Sequence, residues 1–383
     1  MIPLANLELR WPQTLFTAEA LVLGDAPDLG TQNWQDRAQL LLEEAFTGTA
    51  AREHLARVAA AEGGFWGSNA GANDVSSKGV LKWLANSAVT FPTQAQPRPY
   101  WSQRHAPRPL AADPSRLGEW FLQTIRDLHA HGYFEHTFPG GCEDAGDADL
   151  GMDPSMVLVE RLGVPDLWPL QASRDSWDPE NNTDLFYDLV EALHDLVARP
   201  RSRSYHSYWQ HWHYGDFSTS VGQELYRWRV NRILGVAGID LQLADAGEDV
   251  GRLVRVTDDG RDTLIERVQA VGADRDARRH AVALFRSRSA DREAKRSAVV
   301  ALARLLEDRR QLLQTTMLSR DEGALFQIAN QFDLRHSKAD QRREYDEAYL
   351  DWIFWWYLAT VDLADQLIMR SGATSSPAEA PTP

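Results

Sequence analysis

DEAYLDWIFWWYLATVDLADQLIMR, residues Asp346–Arg370, constrains how the rest of the chain can fold. Leu350, Ile353, Phe354, Tyr357, Leu358 and Val361 recur at the three- and four-residue spacing of one helical face, while Trp352, Trp355 and Trp356 occupy another. A helix that is apolar nearly all round has to be buried centrally or packed on a second subunit. The stretch therefore predicts a helical C-terminal bundle and a homodimer through this last helix. Its most apolar run, Ile353–Val361, is nine residues between Asp351 and Asp362. A membrane span needs about 20, so no membrane contact is expected.

Upstream, helical spacing recurs in most long segments. Asp36–His54 and Lys82–Val89 predict helices in an otherwise mixed N-terminal region, residues 1–112. Turn formers in Gly63–Gly79 predict a loop, and the prolines of Phe91–Pro114 predict an extended linker. Ser115–Gly132, with Ser115 as N-cap and Leu117, Trp120, Phe121, Ile125 and Leu128 as its stripe, opens a central helical domain, 115–260. Asp153–Gly163, Leu185–Val197 and Ser218–Leu234 continue it as helices. Ile239–Leu243 alternates, AGEDVG turns and Leu253–Val256 answers, which predicts one β-hairpin. From Thr263 the pattern is helical: His280–Phe285, a long helix within Arg292–Thr315, Glu322–Phe332 and Asp346–Arg370. The expected fold class is mainly α, with a C-terminal bundle over 261–370 and a disordered tail, 371–383.

The chain of 383 residues carries a formal charge of −15, unevenly spread. Residues 261–343 hold 18 of the 40 Lys and Arg but 12 of the 55 Asp and Glu, a balance of +6 against −21 elsewhere. Such a basic segment points to an anion: a phosphate, RNA, or an acidic face of the same protein. The lone Cys142 excludes a disulfide framework within the chain, and MIPLANLELRWPQ lacks the pattern of a secretory signal, so a cytoplasmic location is expected.

The densest aromatic stretch is YHSYWQHWHYGDF, Tyr205–Phe217, with three histidines and six aromatic residues. His206, His211 and His213 with Asp216 form a nominal metal set, and on a strand His211 and His213 would share a face. No HExxH, CxxC or paired-carboxylate motif supports ligation, and histidine packs well among Trp and Tyr. The favoured reading is a packed aromatic segment joining two helices, without metal. A ligand pocket lined by these aromatics, Trp212 included, is the other reading. GGFWGSNAG matches neither phosphate-binding glycine loop, and Glu143, Asp144, Asp147, Asp149 and Asp153 do not have EF-hand spacing. No cofactor is expected.

Arg335 and His336 stand between an apolar helix and the long final one. There an arginine could clamp a phosphate and a histidine could move a proton. The alternative is that Arg335 caps the preceding helix while His336 faces water. Arg342 and Arg343 are further basic candidates.

Three segments carry a resemblance: GYFEHTFPGGCEDAGDADLGMDPSMVLVERLGVPDLWPL, SRSYHSYWQHWHYGDFSTSVGQELYRWRVNRILG and LFQIANQFDLRHSKADQRREYDEAYLDWIFWWYLAT. Over about residues 115–369 they resemble a family of uncharacterised bacterial proteins. The helical C-terminus resembles, more distantly, the HEPN superfamily found in abortive-infection (AbiJ-like) defence proteins and toxins. That resemblance implies a dimeric, metal-independent ribonuclease of stress or phage defence, whose family uses an Arg and a His four to six residues apart before a long helix. Arg335 and His336 occupy that loop and are adjacent, whereas Arg275–His280 and Arg201–His206 have the family spacing. The expected function is thus RNA or nucleotide binding with Arg335 and His336 as the catalytic pair. The alternatives are a non-catalytic partner-binding protein or a winged-helix regulator with Arg227, Arg229 and Arg232 facing DNA.

Overall fold

The computed structural model describes residues 7–26, 31–62, 76–93, 113–139, 153–170, 176–208, 210–270, 274–288, 290–316, 323–328 and 346–374. The chain divides into two compact units, Met1–Ile239 and Asp240–Pro383. It is mainly helical, and among the described residues no helix is long and apolar enough to cross a membrane.

The first unit begins with four helices, α1 (Gln13–Asp25), α2 (Thr31–Ala45), α3 (Ala50–Glu62) and α4 (Ser77–Ser87). The helix expected over Asp36–His54 is two, because the chain turns at Gly48 with φ of 75°. α4 starts earlier than expected: the Ser76 hydroxyl accepts from Gly79 N and supplies the cap. Phe46 joins these helices, edge-on to Phe16 at 5.0 Å and to Phe91 at 5.7 Å between centroids. Most of the proline-rich stretch lies outside the described residues.

α5 (Leu117–Ala130) buries Leu117, Phe121, Leu122, Ile125 and Leu128. Arg116, not Ser115, is its N-cap; the Ser115 hydroxyl donates to Asp113. The helix stops at Gly132, whose φ of 78° suits glycine, and the Tyr214 ring occupies the space a Cβ would need, 2.4 Å away. α6 (Pro154–Leu162) is capped by Asp153 and stopped by Gly163 in the left-handed region. α7 (Thr183–Leu196) is capped by Asn182.

The segment after α7 departs from expectation. Instead of an aromatic connector, β1 (Arg199–His206) and β2 (His211–Ser218) form an antiparallel hairpin that leads into α8 (Thr219–Val236). Its two faces explain why no apolar alternation marks it. Directly opposed residues and residues two apart share a face. Arg199, Arg201, Arg203 and Tyr205 therefore line one side, and Ser202, Ser204 and His206 the other. The arginine face packs on glutamates of α1 and α2 rather than on a greasy core.

Two buried phenols in this unit set an alkaline limit. Burial pushes the Tyr133 phenol well above its ordinary value, and the Glu44 carboxylate, which accepts its hydrogen bond, acts in the same direction. Burial also raises Tyr226, whose hydroxyl donates to Val190 O at 2.9 Å. A folded state that holds a proton more tightly contributes stability that is complete below the unfolded tyrosine pKa, about 10. That contribution is lost as pH rises from there through the folded value. Alkaline titration followed by circular dichroism should show this unit losing stability above about pH 10. A Tyr133→Phe, Tyr226→Phe double variant should have the flatter slope there, and a slope equal to wild type would refute the assignment.

The second unit opens with β3 (Leu241–Leu243) and β4 (Leu253–Arg255), the hairpin the sequence marks, paired with Leu243 opposite Leu253. α9 (Asp259–Ala270), α10 (Arg275–Arg286), α11 (Arg292–Asp308) and α12 (Arg310–Thr316) follow. Residues 323–328 are helical, and α13 (Glu347–Thr374) ends the described chain. The helix expected within Arg292–Thr315 breaks at Arg309. α13 runs past Arg370 to Thr374, so the tail is helical for its first four residues, with no proline before Pro377 to stop it.

The core forms around α13. Leu350, Ile353, Phe354, Tyr357, Leu358, Val361 and Ala364 are buried among side chains of α9, α10 and α11. Phe285 of α10 stacks on Phe354 with centroids 3.7 Å apart, and Tyr357 donates its hydroxyl to Leu325 O at 3.0 Å. The indole face is not buried throughout: Trp352 is 52% exposed, with Trp355 and Trp356 half-buried.

Candidate functional site

Of the sequence candidates, Arg335, His336, Arg342 and Arg343 lie outside the described residues. His206, His211 and His213 come together on one face of the β1–β2 hairpin, each half-buried. Trp212 is on the opposite face, edge-on to Tyr205 at 5.0 Å and under the Arg203 guanidinium at 4.5 Å. Asp216, the carboxylate of the nominal metal set, instead pairs with Arg37 at 2.6 Å. Arg201 is held by Glu19, and Arg227 and Arg229 by His194 and Asp127. The acidic turn of the second hairpin is also engaged. Glu248 pairs with Arg279 at 3.3 Å, and burial raises the Asp249 pKa against the opposing pull of Arg286.

Among the described residues, part of the basic segment is an internal complement. Arg278 and Arg309 both bind Asp365, Arg267 pairs with Asp362, and Lys295 lies 3.4 Å from Glu347. All three acids belong to α13, just beyond the basic window. The surplus of residues 261–343 is thus met in part by an acidic face of the same chain, one of the three readings the charge pattern left open.

The second unit also holds a cavity of roughly 750 Å³. One wall is α13: Trp352, Trp355 and Trp356 fall at helical spacing on the same side, and Trp352 stacks on Trp356 at 5.5 Å with a 20° tilt. Phe285, edge-on to Trp355 at 5.8 Å, adds a further apolar surface from α10. The hairpin end and α9 contribute Asp240, Arg255, Thr257 and Arg261.

The polar groups of this cavity differ in how strongly they are engaged. Lys295 is almost fully buried, 3.0 Å from Asp351 in an ion pair that is off hydrogen-bond geometry, and it also faces the Phe285 ring. Such a buried lysine neutralises the two α13 acids and anchors the helix start. Arg261 lies over the Trp355 ring at 4.9 Å and pairs with Asp258 from an exposed position. Arg255 forms no ion pair among the described residues. An aromatic wall with one ring pair still half open, facing the exposed Arg255 guanidinium, suits a flat ring that carries an anion.

Sequence reasoning placed the three tryptophans at a subunit interface and missed their part in this cavity. The usable signal was the spacing of Trp352, Trp355 and Trp356 at i, i+3 and i+4, opposite the face that carries Leu350 and Ile353. No family model, no curated protein and no solved structure matches the chain.

Proposed function

We propose that the second unit binds a nucleotide or an unpaired RNA base in the tryptophan-lined cavity. The observation that supports this reading is the convergence of Trp352, Trp355 and Trp356 with Arg255 and Arg261 around one space. A base would lie along the exposed Trp352 ring, and a phosphate would lie against Arg255. Base–aromatic stacking contributes about 1–3 kcal/mol per base in single-strand binding and tolerates any base. Under the resemblance to HEPN proteins, Arg335 would hold the scissile phosphate. His336 would act on the 2′-hydroxyl or the leaving oxygen, so that RNA is cleaved without metal. In the same proposal two chains join through α13, along which Tyr349, Leu363, Ile368 and Met369 lie uncovered.

Titration with nucleoside monophosphates and with a short single-stranded RNA, read by tryptophan fluorescence, tests the binding. Trp352→Ala should weaken it by about 5- to 150-fold, the stacking range, and Arg255→Ala should lower the salt slope by about one. Binding that survives both substitutions unchanged would refute the cavity as the site. Cleavage is read separately, by incubating wild type, Arg335→Ala and His336→Ala with RNA in EDTA. Light scattering at micromolar concentration reads the dimer, and a monomer mass removes that part of the proposal.

A further inference from the structure

The β1–β2 hairpin carries a second feature, in the other unit and independent of the cavity. His206 and His211 are opposed across the strands, and His213 stands two residues on from His211, opposite Ser204. All three imidazoles therefore project from one face. Ring centroids are 4.5 Å apart for His211–His213, 5.4 Å for His206–His213 and 5.7 Å for His206–His211. One nitrogen from each ring lies within 4.8 Å of the others.

We infer that His206, His211 and His213 form a three-imidazole site for a divalent transition metal ion. Zinc–imidazole bonds of about 2.0–2.1 Å place the nitrogens of a tetrahedral set roughly 3.3 Å apart, so modest rotation about the side-chain bonds closes the observed triangle. The donor set selects the ion. Imidazole without carboxylate suits zinc, copper or nickel, whereas calcium and magnesium require oxygen. The half-exposed face leaves the remaining position to water, as in sites that are not purely structural.

The frame behind these rings stands without metal. On the opposite face Arg203 donates to Glu43 at 2.7 Å while covering Trp212, which packs against Tyr205. Lower on the same face, Arg199 and Arg201 are fixed to Glu19 and Glu44. Metal would therefore bind a formed hairpin rather than fold one, unlike the small domains that unfold when their zinc is removed.

The test uses untagged full-length protein stripped with a chelator. Zinc is titrated against a chromophoric competitor, and cobalt(II) is used to read coordination from its visible bands. One equivalent per chain is expected, with tetrahedral-type cobalt absorption that fades as the pH is lowered and protons compete for the nitrogens. Loss of one ligand should weaken zinc by at least about 100-fold, the upper end seen for groups that merely support a ligand. His211→Ala and His213→Ala are each expected to do so, and His280→Ala, on α10, to change nothing. Circular dichroism should show the stripped protein and both hairpin variants folded as wild type. Zinc bound below one equivalent, only at millimolar levels, or equally by the His211→Ala, His213→Ala double variant would overturn the site. Unfolding on stripping would overturn the claim that the hairpin is formed before the metal arrives.

Discussion

Arg199→Ala is expected to destabilise the first unit by about 3–5 kcal/mol, the range for removing one partner of a buried ion pair. Arg199 is 2% exposed, between Glu19 and Glu44, which are 5% and 7% exposed. Its guanidinium donates to Glu44 Oε2 at 2.8 Å and to Glu19 Oε2 at 3.0 Å, and it lies over the Trp11 ring at 4.9 Å. Burial opposes its charge, yet Glu44, Tyr133 and Glu19 together hold its pKa above the ordinary guanidinium value. Without the arginine, Glu44 keeps, among the described residues, only the Tyr133 hydroxyl, and Glu19 keeps the more exposed Arg201. The cost is the stranded carboxylate charge, not the lost contact area. Arg199→Met combined with Glu44→Leu should therefore recover much of the loss, because replacing a whole buried pair with apolar groups is often neutral. Hydrogen exchange at β1 and α2 amides under mild denaturant reads both variants. A loss under about 1 kcal/mol for Arg199→Ala, the level of a surface pair, would mean that water reaches the cluster.

The same cluster shows why the β1–β2 hairpin was illegible in the sequence while most helices were plain. α5, α7 and α13 bury apolar stripes, so their 3.6-residue period is written in hydropathy. β1 has a period of two, but the residues that alternate are arginine and serine, and the buried side is the charged one. What makes arginine an inward residue at 199 is Glu44, 155 residues earlier, a pairing that leaves no local trace. The three histidines were legible as a nominal metal set but not as a cluster, for the same reason. Three imidazoles in eight residues mean little until a hairpin register puts two of them opposite each other. The charge surplus after residue 261 was legible as a number and not as a surface, because its counter-charges sit on the next helix.

That internal pairing yields the other large effect. Asp365→Ala should destabilise the second unit by about 3–5 kcal/mol, whereas Asp362→Ala, three residues away on the same helix, should cost about 0–1 kcal/mol. Asp365 accepts from Arg278 Nη1 at 2.6 Å and Nη2 at 3.1 Å and from Arg309 Nη1 at 2.8 Å. Arg278 has no exposed surface, so loss of the carboxylate leaves its desolvated guanidinium without the anion that takes two of its hydrogen bonds, and a neutral acceptor such as the Val268 carbonyl, 3.2 Å away, does not replace that charge. Arg309 retains Asp274 at 3.0 Å and suffers less. Asp362 instead faces Arg267, whose side chain is 56% exposed and returns to water when its partner is gone. Thermal unfolding of the two variants separates these cases, and equal losses would show that the Arg278 pocket admits water. The contrast also bears on the cavity. Asp365 anchors the far end of the helix whose near end presents Trp352 and Trp356, so Asp365→Ala should weaken the proposed nucleotide binding only where the second unit begins to melt. Trp352→Ala should weaken it throughout the folded range. A binding loss in Asp365→Ala well below its melting temperature would mean that the Arg278–Asp365 pair shapes the cavity directly instead of only seating the helix.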